Sequence, residues 1–168
     1  KVQAFKAGRP IVDFKMGKDH KYYDLASLTK ILFTTTALMR IAERDSKFLK
    51  TPLSKTLSWW KPGEKIRPFD LLCHSAGLPW WAPFYEKLSG PKEHRRRWRE
   101  LKNHLAAVRP SRRRKSLYSD IDFLFLGMRL ESYHQQDLLS IWEQMQKQTR
   151  LTGLHFNVNN KPKYKRRL

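Results

Sequence analysis

The sequence predicts an α+β chain, with strands in front and helices behind. Three observations carry this. Two short runs of β-prone residues open the chain, around a turn that holds Gly8 and Pro10. Most of the remaining chain repeats its apolar residues at helical spacing. The 168 residues are 40% apolar, enough to bury one core.

Val2 and Ala4 and then Ile11, Val12, Phe14 and Met16 place strands at 2–6 and 11–16. Ala7-Gly8-Arg9-Pro10 is the tight turn between them. Residues 17–23 are a connecting loop. A helix is predicted from Ser27 to about Arg44, with Leu28, Ile31, Leu32, Thr35, Leu38, Met39 and Ala42 on its apolar face. Asp24 or Ser27 is its expected cap. A short helical turn comes after Pro52, broken by Trp59-Trp60-Lys61-Pro62-Gly63. Phe69–His74 is another short helix, closed by Ser75-Ala76-Gly77. Leu78–Pro83, with Trp80 and Trp81, is an aromatic loop that reads equally as a core flap or a cleft wall. A helix over 91–108 carries Trp98, Leu101, Leu105 and Val108 and ends at Pro110. Two more run from about Asp120 to Tyr133 and from about Gln136 to Thr149. The residues after 156 read as a basic tail. The divisions are therefore 1–24, opening hairpin and loop; 25–156, mostly helical; and 157–168, tail.

Thirty-five Lys and Arg against 15 Asp and Glu give a formal charge of +20. Such a field attracts polyanions, and Arg95, Arg96, Arg97, Arg112, Arg113 and Arg114 are the densest contributors. A soluble basic surface and a dedicated anionic-polymer site are both open readings. No run of about 18 apolar residues offers a membrane span. No secretory signal is read. Cys73 is the single cysteine, so no internal disulfide or cysteine metal site forms, and Leu71 and Leu72 beside it predict a buried thiol. The six histidines lack ligand spacing, and no Gly-rich phosphate loop occurs. Neither a cofactor nor a metal is expected.

Ser27-Leu28-Thr29-Lys30 is a Ser-x-x-Lys at a helix start. Positions i and i+3 share a helical face, so the ammonium can reach the hydroxyl. Serine is a weak nucleophile until a base takes its proton. A helix start adds free N–H groups that favour developing negative charge. Two further segments join it. One is Leu71-Leu72-Cys73-His74-Ser75-Ala76-Gly77-Leu78-Pro79; the other is Tyr118-Ser119-Asp120 with Phe125-Leu126-Gly127 after it.

In this order and at this separation the three segments resemble the serine β-lactamase and penicillin-binding protein superfamily, its class C-like branch in particular. The resemblance spans nearly the whole chain. It implies an antiparallel sheet with helices plus a mostly helical subdomain. This chain is expected to hold the helical part and the first hairpin, the N-terminal portion of that fold. It also implies an acyl-transfer hydrolase acting on peptidoglycan peptides, β-lactams or small esters and amides, in a periplasmic or extracytoplasmic setting. By the same resemblance Ser27 attacks the carbonyl, and Lys30 accepts its proton or keeps Tyr118 ionisable. Tyr118 relays a proton to the leaving group, Asp120 orients Lys30, and the Ser27 N–H is half of an oxyanion hole. The family's histidine at His74 is structural, so His74 is read as a packing and hydrogen-bonding residue. Two departures stand out. Asp120 occupies a position where the family most often has Asn, replacing an amide donor by an anion. The family's third motif, Lys or His followed by Gly on a strand, is expected beyond Leu168. A catalytically impaired binding module and a basic polyanion-binding protein are the alternative functions.

Overall fold

The computed structural model describes residues 2–18, 23–88, 94–112, 115–151 and 153–156. The predicted tail, the middle of the 17–23 loop, Arg113 and Arg114 lie outside the described residues, as do the side chains of Arg95 and Arg96. The chain divides into two compact units, Lys1–Ala26 with Leu154–Leu168, and Ser27–Gly153.

In the first unit, β1 (Val2–Lys6) pairs antiparallel with β2 (Arg9–Phe14). Ala7 and Gly8 both take positive φ, +49° and +74°, the two-residue turn that matches strand twist. That turn needs no more residues, so β2 begins at Arg9, two positions before the predicted Ile11. The register shifts between Ala4 and Phe5, and the strands bulge there. Gln3 Nε2 donates to Asp13 Oδ2 across the ladder at 2.9 Å.

The second unit is helical. A π-helical segment, Lys30–Thr35, runs into α1 (Thr36–Arg44). After two short 3-10 turns at Phe48–Lys50 and Leu53–Lys55 comes a third, Lys61–Lys65. The Pro62-Gly63 pair thus sits inside a turn, where a break was predicted. Packing explains it: Trp60 is fully buried and donates from Nε1 to the Val108 carbonyl at 3.0 Å. A Cβ on Gly63 would meet that indole at 3.0 Å and Leu53 Cβ at 3.2 Å, so any side chain there would force its buried neighbours to give way. α2 (Pro68–Leu72) starts with proline at its first position, and Asp70 Oδ2 accepts from the Arg67 N–H at 2.8 Å. It stops before His74, whose φ is +53°. Cys73 is exposed, against the expectation of a buried thiol. The stripe of this short helix is Leu71, fully buried, and position 73 falls on its outer side.

Next come α3 (Phe84–Lys87) and α4 (His94–Ala106), with Leu101 and Leu105 as the buried stripe of α4. Phe84 stacks on His104 at 6.0 Å. α5 (Asp120–His134) is the central helix, buried on several sides through Ile121, Phe125, Leu126, Met128 and Leu130. Trp60 lies 4.1 Å from Phe125, ring centre to ring centre. Arg129 is also buried in α5. It donates to Thr56 Oγ1 and rests 4.6 Å above the Phe48 ring, so its charge is both bonded and stacked. α6 (Leu138–Thr149) is capped by Asp137, which accepts from the Ser140 N–H at 2.7 Å. It buries Ile141, Trp142 and Met145.

The first helix forms where predicted but presents a different face. Leu28, Ile31 and Met39 are exposed, while Phe33, Ala37, Leu38 and Ile41 are buried. The π-helical turns hold more residues than α turns, so a 3.6-residue count loses register there. No side chain caps this helix; Asp24 Oδ1 accepts from the Ala26 N–H instead, at 2.8 Å. Among the described residues no helix is long and apolar enough to cross a membrane.

Candidate active site

All four predicted site residues lie in the second unit, and the structure brings them together. Ser27 precedes the π-helical segment, and its carbonyl accepts from the Lys30 N–H at 3.0 Å. This turn puts Lys30 Nζ 3.0 Å from Ser27 Oγ. Tyr118, 91 positions later, donates from its hydroxyl to the same Ser27 Oγ at 2.8 Å. Lys30 Nζ also pairs with Asp120 Oδ1 at 2.7 Å. One serine hydroxyl therefore contacts an ammonium and a phenol, and a carboxylate secures the ammonium from its other side.

The architecture behind these contacts is the start of α5. Ser119 is its N-cap and accepts on Oγ from the Asp122 N–H at 3.2 Å. The same Oγ donates to the Pro79 carbonyl at 2.6 Å. The Asp120 N–H donates to the Trp80 carbonyl at 2.8 Å. The segment 117–119 before the cap is thereby stitched to the loop after α2, with Tyr118 held out from it. Asp120 is the first helical residue and not the cap, so its carboxylate serves Lys30.

Residues 5–162 match the β-lactamase family model. The chain belongs to the β-lactamase family. Comparison with curated proteins and with solved structures returned no significant match. Membership brings hydrolase-type chemistry and an α+β fold, in line with a two-stranded antiparallel sheet and several helices.

Within this cluster of the β-lactamase family chain the charges act in opposite directions on Lys30 and Tyr118. Burial pulls the Lys30 ammonium down, but bonds to Asp120 and Tyr118 outweigh it and leave it above the ordinary lysine value. The Tyr118 phenol is lowered, chiefly by Lys30 and then by Ser27, both of which favour the phenolate.

Sequence reasoning placed His74 as a hydrogen-bonding residue and missed its partner. His74 Nδ1 lies 2.8 Å from Asp122 Oδ2 and accepts from the Ser119 N–H at 3.1 Å. The His74 carbonyl accepts from the Leu117 N–H at 2.9 Å. Its ring lies 4.8 Å from that of Tyr118. Burial, then the Lys30 charge, lowers the His74 pKa. Asp122 is 1% exposed, and burial pushes its carboxyl up to about 8. The one sequence signal for Asp122 was the Ser-x-x-Asp spacing with Ser119, a capping pattern.

Trp80 and Trp81 stack at 5.7 Å, and Trp80 is 62% exposed. The loop between Leu78 and Pro83 is thus no core flap. Of the arginines read as polymer contacts, Arg112 is exposed and Arg97 is half-buried. Among the described residues no cluster of metal-ligating side chains occurs.

Proposed function

We propose that this chain carries the acyl-enzyme chemistry of a serine hydrolase of the class C-like, penicillin-recognising type, on Ser27. The observation that supports it most is the 2.8 Å bond from Tyr118 to Ser27 Oγ, made between residues 91 positions apart. Substrates are peptidoglycan peptides, β-lactams or small esters and amides, in an extracytoplasmic setting.

With the Tyr118 proton first released to solvent, Ser27 Oγ bonds to the substrate carbonyl carbon as its own proton passes to the Tyr118 phenolate oxygen. The Lys30 and Ser27 contacts that lower Tyr118 favour the phenolate this step uses, and the raised ammonium favours Lys30 as a cation beside it. Of the two roles open to Lys30, holding Tyr118 ionisable is the one the charges favour. Tyr118 then returns the proton to the leaving nitrogen or oxygen as the carbonyl–leaving-group bond breaks. Water, deprotonated toward Tyr118, releases the acyl group and restores Ser27. The Ser27 N–H at the helix start supplies one donor to the developing oxyanion.

The test is mass labelling with a penicillin and with a fluorophosphonate. An adduct on Ser27 that Ser27→Ala abolishes is expected; no adduct, or one that survives the substitution, sinks the proposal. A second reading, a penicillin-binding module with impaired turnover, draws on Asp120. Its carboxylate accepts from Lys30 but has no proton to donate to a substrate carbonyl. Labelling without turnover of a chromogenic β-lactam or a D-Ala-D-Ala peptide would favour that reading.

A further inference from the structure

His74 brackets Tyr118. Its carbonyl binds the N–H of Leu117 and its Nδ1 binds the N–H of Ser119, so both neighbours of the phenol hang on one residue. Its ring packs against the Tyr118 and Phe123 rings. The ring in turn is held by Asp122 at 2.8 Å.

The protons in this cluster are constrained. An imidazole nitrogen that accepts an N–H bond presents a lone pair and carries no hydrogen of its own. Nδ1 accepts from the Ser119 backbone, which cannot do anything but donate. The 2.8 Å contact from the same Nδ1 to Asp122 Oδ2 then takes its hydrogen from the carboxyl, the one Nδ1 lone pair being shared between this shorter bond and the longer one from Ser119. An ionised Asp122 would set a second lone pair against the first, in a site where the carboxyl is 1% exposed. Asp122 Oδ1 has no hydrogen-bond partner among the described residues, so nothing else there satisfies an anion.

We propose that Asp122 is a neutral carboxylic acid whose proton is given to His74 Nδ1, and that this bond positions Tyr118 against Ser27. His74 and Asp122 are positioning residues, and neither touches the reacting atoms. Burial supports the assignment by raising the carboxyl. The charged groups near the cluster are Lys30, which disfavours a protonated His74, and Asp120 and Tyr118, both bonded to Lys30. A family-type acyl-enzyme site thus carries an internal proton whose loss at alkaline pH loosens its phenol. The role of Tyr118 in this statement rests on the reading under Proposed function; the place of the proton does not.

Two measurements test it. Nitrogen NMR of the histidine-labelled protein reads the His74 tautomer. The Nε2–H form, with a hydrogen-bonded Nδ1 lone pair, is expected from pH about 6 to 7.5. An Nδ1–H form or an imidazolium would overturn the proposal. The second is the rate of Ser27 acylation against pH in the wild type and in Asp122→Asn, whose amide donates to Nδ1 without titrating. The ratio of variant to wild-type rate should be flat at low pH and rise above pH about 8, by up to about tenfold per pH unit. Parallel profiles would overturn the positioning role. A wild type without any Ser27 adduct would sink the acyl-enzyme reading and the positioning role together, and the tautomer would still decide where the proton lies.

Discussion

At the level of single residues, Asp120 is the most informative. It is 45% exposed on its side chain, against 16% for Lys30, so the pair lies at the edge of solvent. Its contribution to stability is accordingly small, about 1 kcal/mol or less. The contribution is present in full below the ordinary lysine value of 10.5 and fades as pH rises through the raised value in the folded protein. Asp120→Asn should therefore lower the melting temperature slightly at pH about 7 and not at all at strongly alkaline pH. The Lys30 ammonium, followed by carbon NMR of its Cε, should titrate lower in the variant than in the wild type. An unchanged titration would mean that the 2.7 Å contact does not hold the charge. The Ser-x-x-Lys spacing singled out Ser27 and Lys30, the resemblance singled out Tyr118 and Asp120, and the structure draws the four side chains together. Asp122 was not legible, because an acidic residue in a first helical turn ordinarily reads as a partner of the helix dipole. Only the fold shows that this one faces inward.

Among the elements, α5 and α6 were legible nearly to their ends. Their capping residues, Ser119 and Asp137, are local signals, and so is the turn at Ala7-Gly8. The face of the first helix was not legible. Its widened turns leave Ile31 62% exposed and Phe33 3% exposed, the reverse of the α-helical count. The difference is measurable in denaturant unfolding. Phe33→Ala should cost about 3–5 kcal/mol, since its ring is buried edge-on to Trp142 at 5.6 Å. Ile31→Ala should stay within about 0.5 kcal/mol. Equal costs would show that the helix winds uniformly in solution. The 3-10 turn at Lys61–Lys65 escaped prediction for a related reason. Proline and glycine mark a break locally, and it is the buried Trp60 indole that folds them back into a turn.

At the scale of the whole molecule the chain is strongly basic, with a charge that extends well beyond the Ser27 cluster. The formal +20 is spread over the sequence, and Arg99, Lys102 and Arg112 are among its cations. Binding to an anionic polymer, such as a teichoic-acid-like polyphosphate, should weaken steeply with salt. On a double-logarithmic plot the slope should be close to the number of phosphates engaged. A binding constant indifferent to salt would remove the polyanion reading and leave a basic surface without a dedicated partner.

The left-handed backbone at His74 has a cost, set against the bonds and ring contacts that its side chain makes. A φ of +53° suits glycine, and a branched or ring-bearing residue there is strained by about 1–3 kcal/mol. In His74→Gly the backbone would relax while both the imidazole acceptor for Ser119 and the surface under Tyr118 disappear. The part of stability owed to that turn should rise and the rate of acylation should fall, so that evolution toward a tougher protein and evolution toward a faster one pull this position in opposite directions.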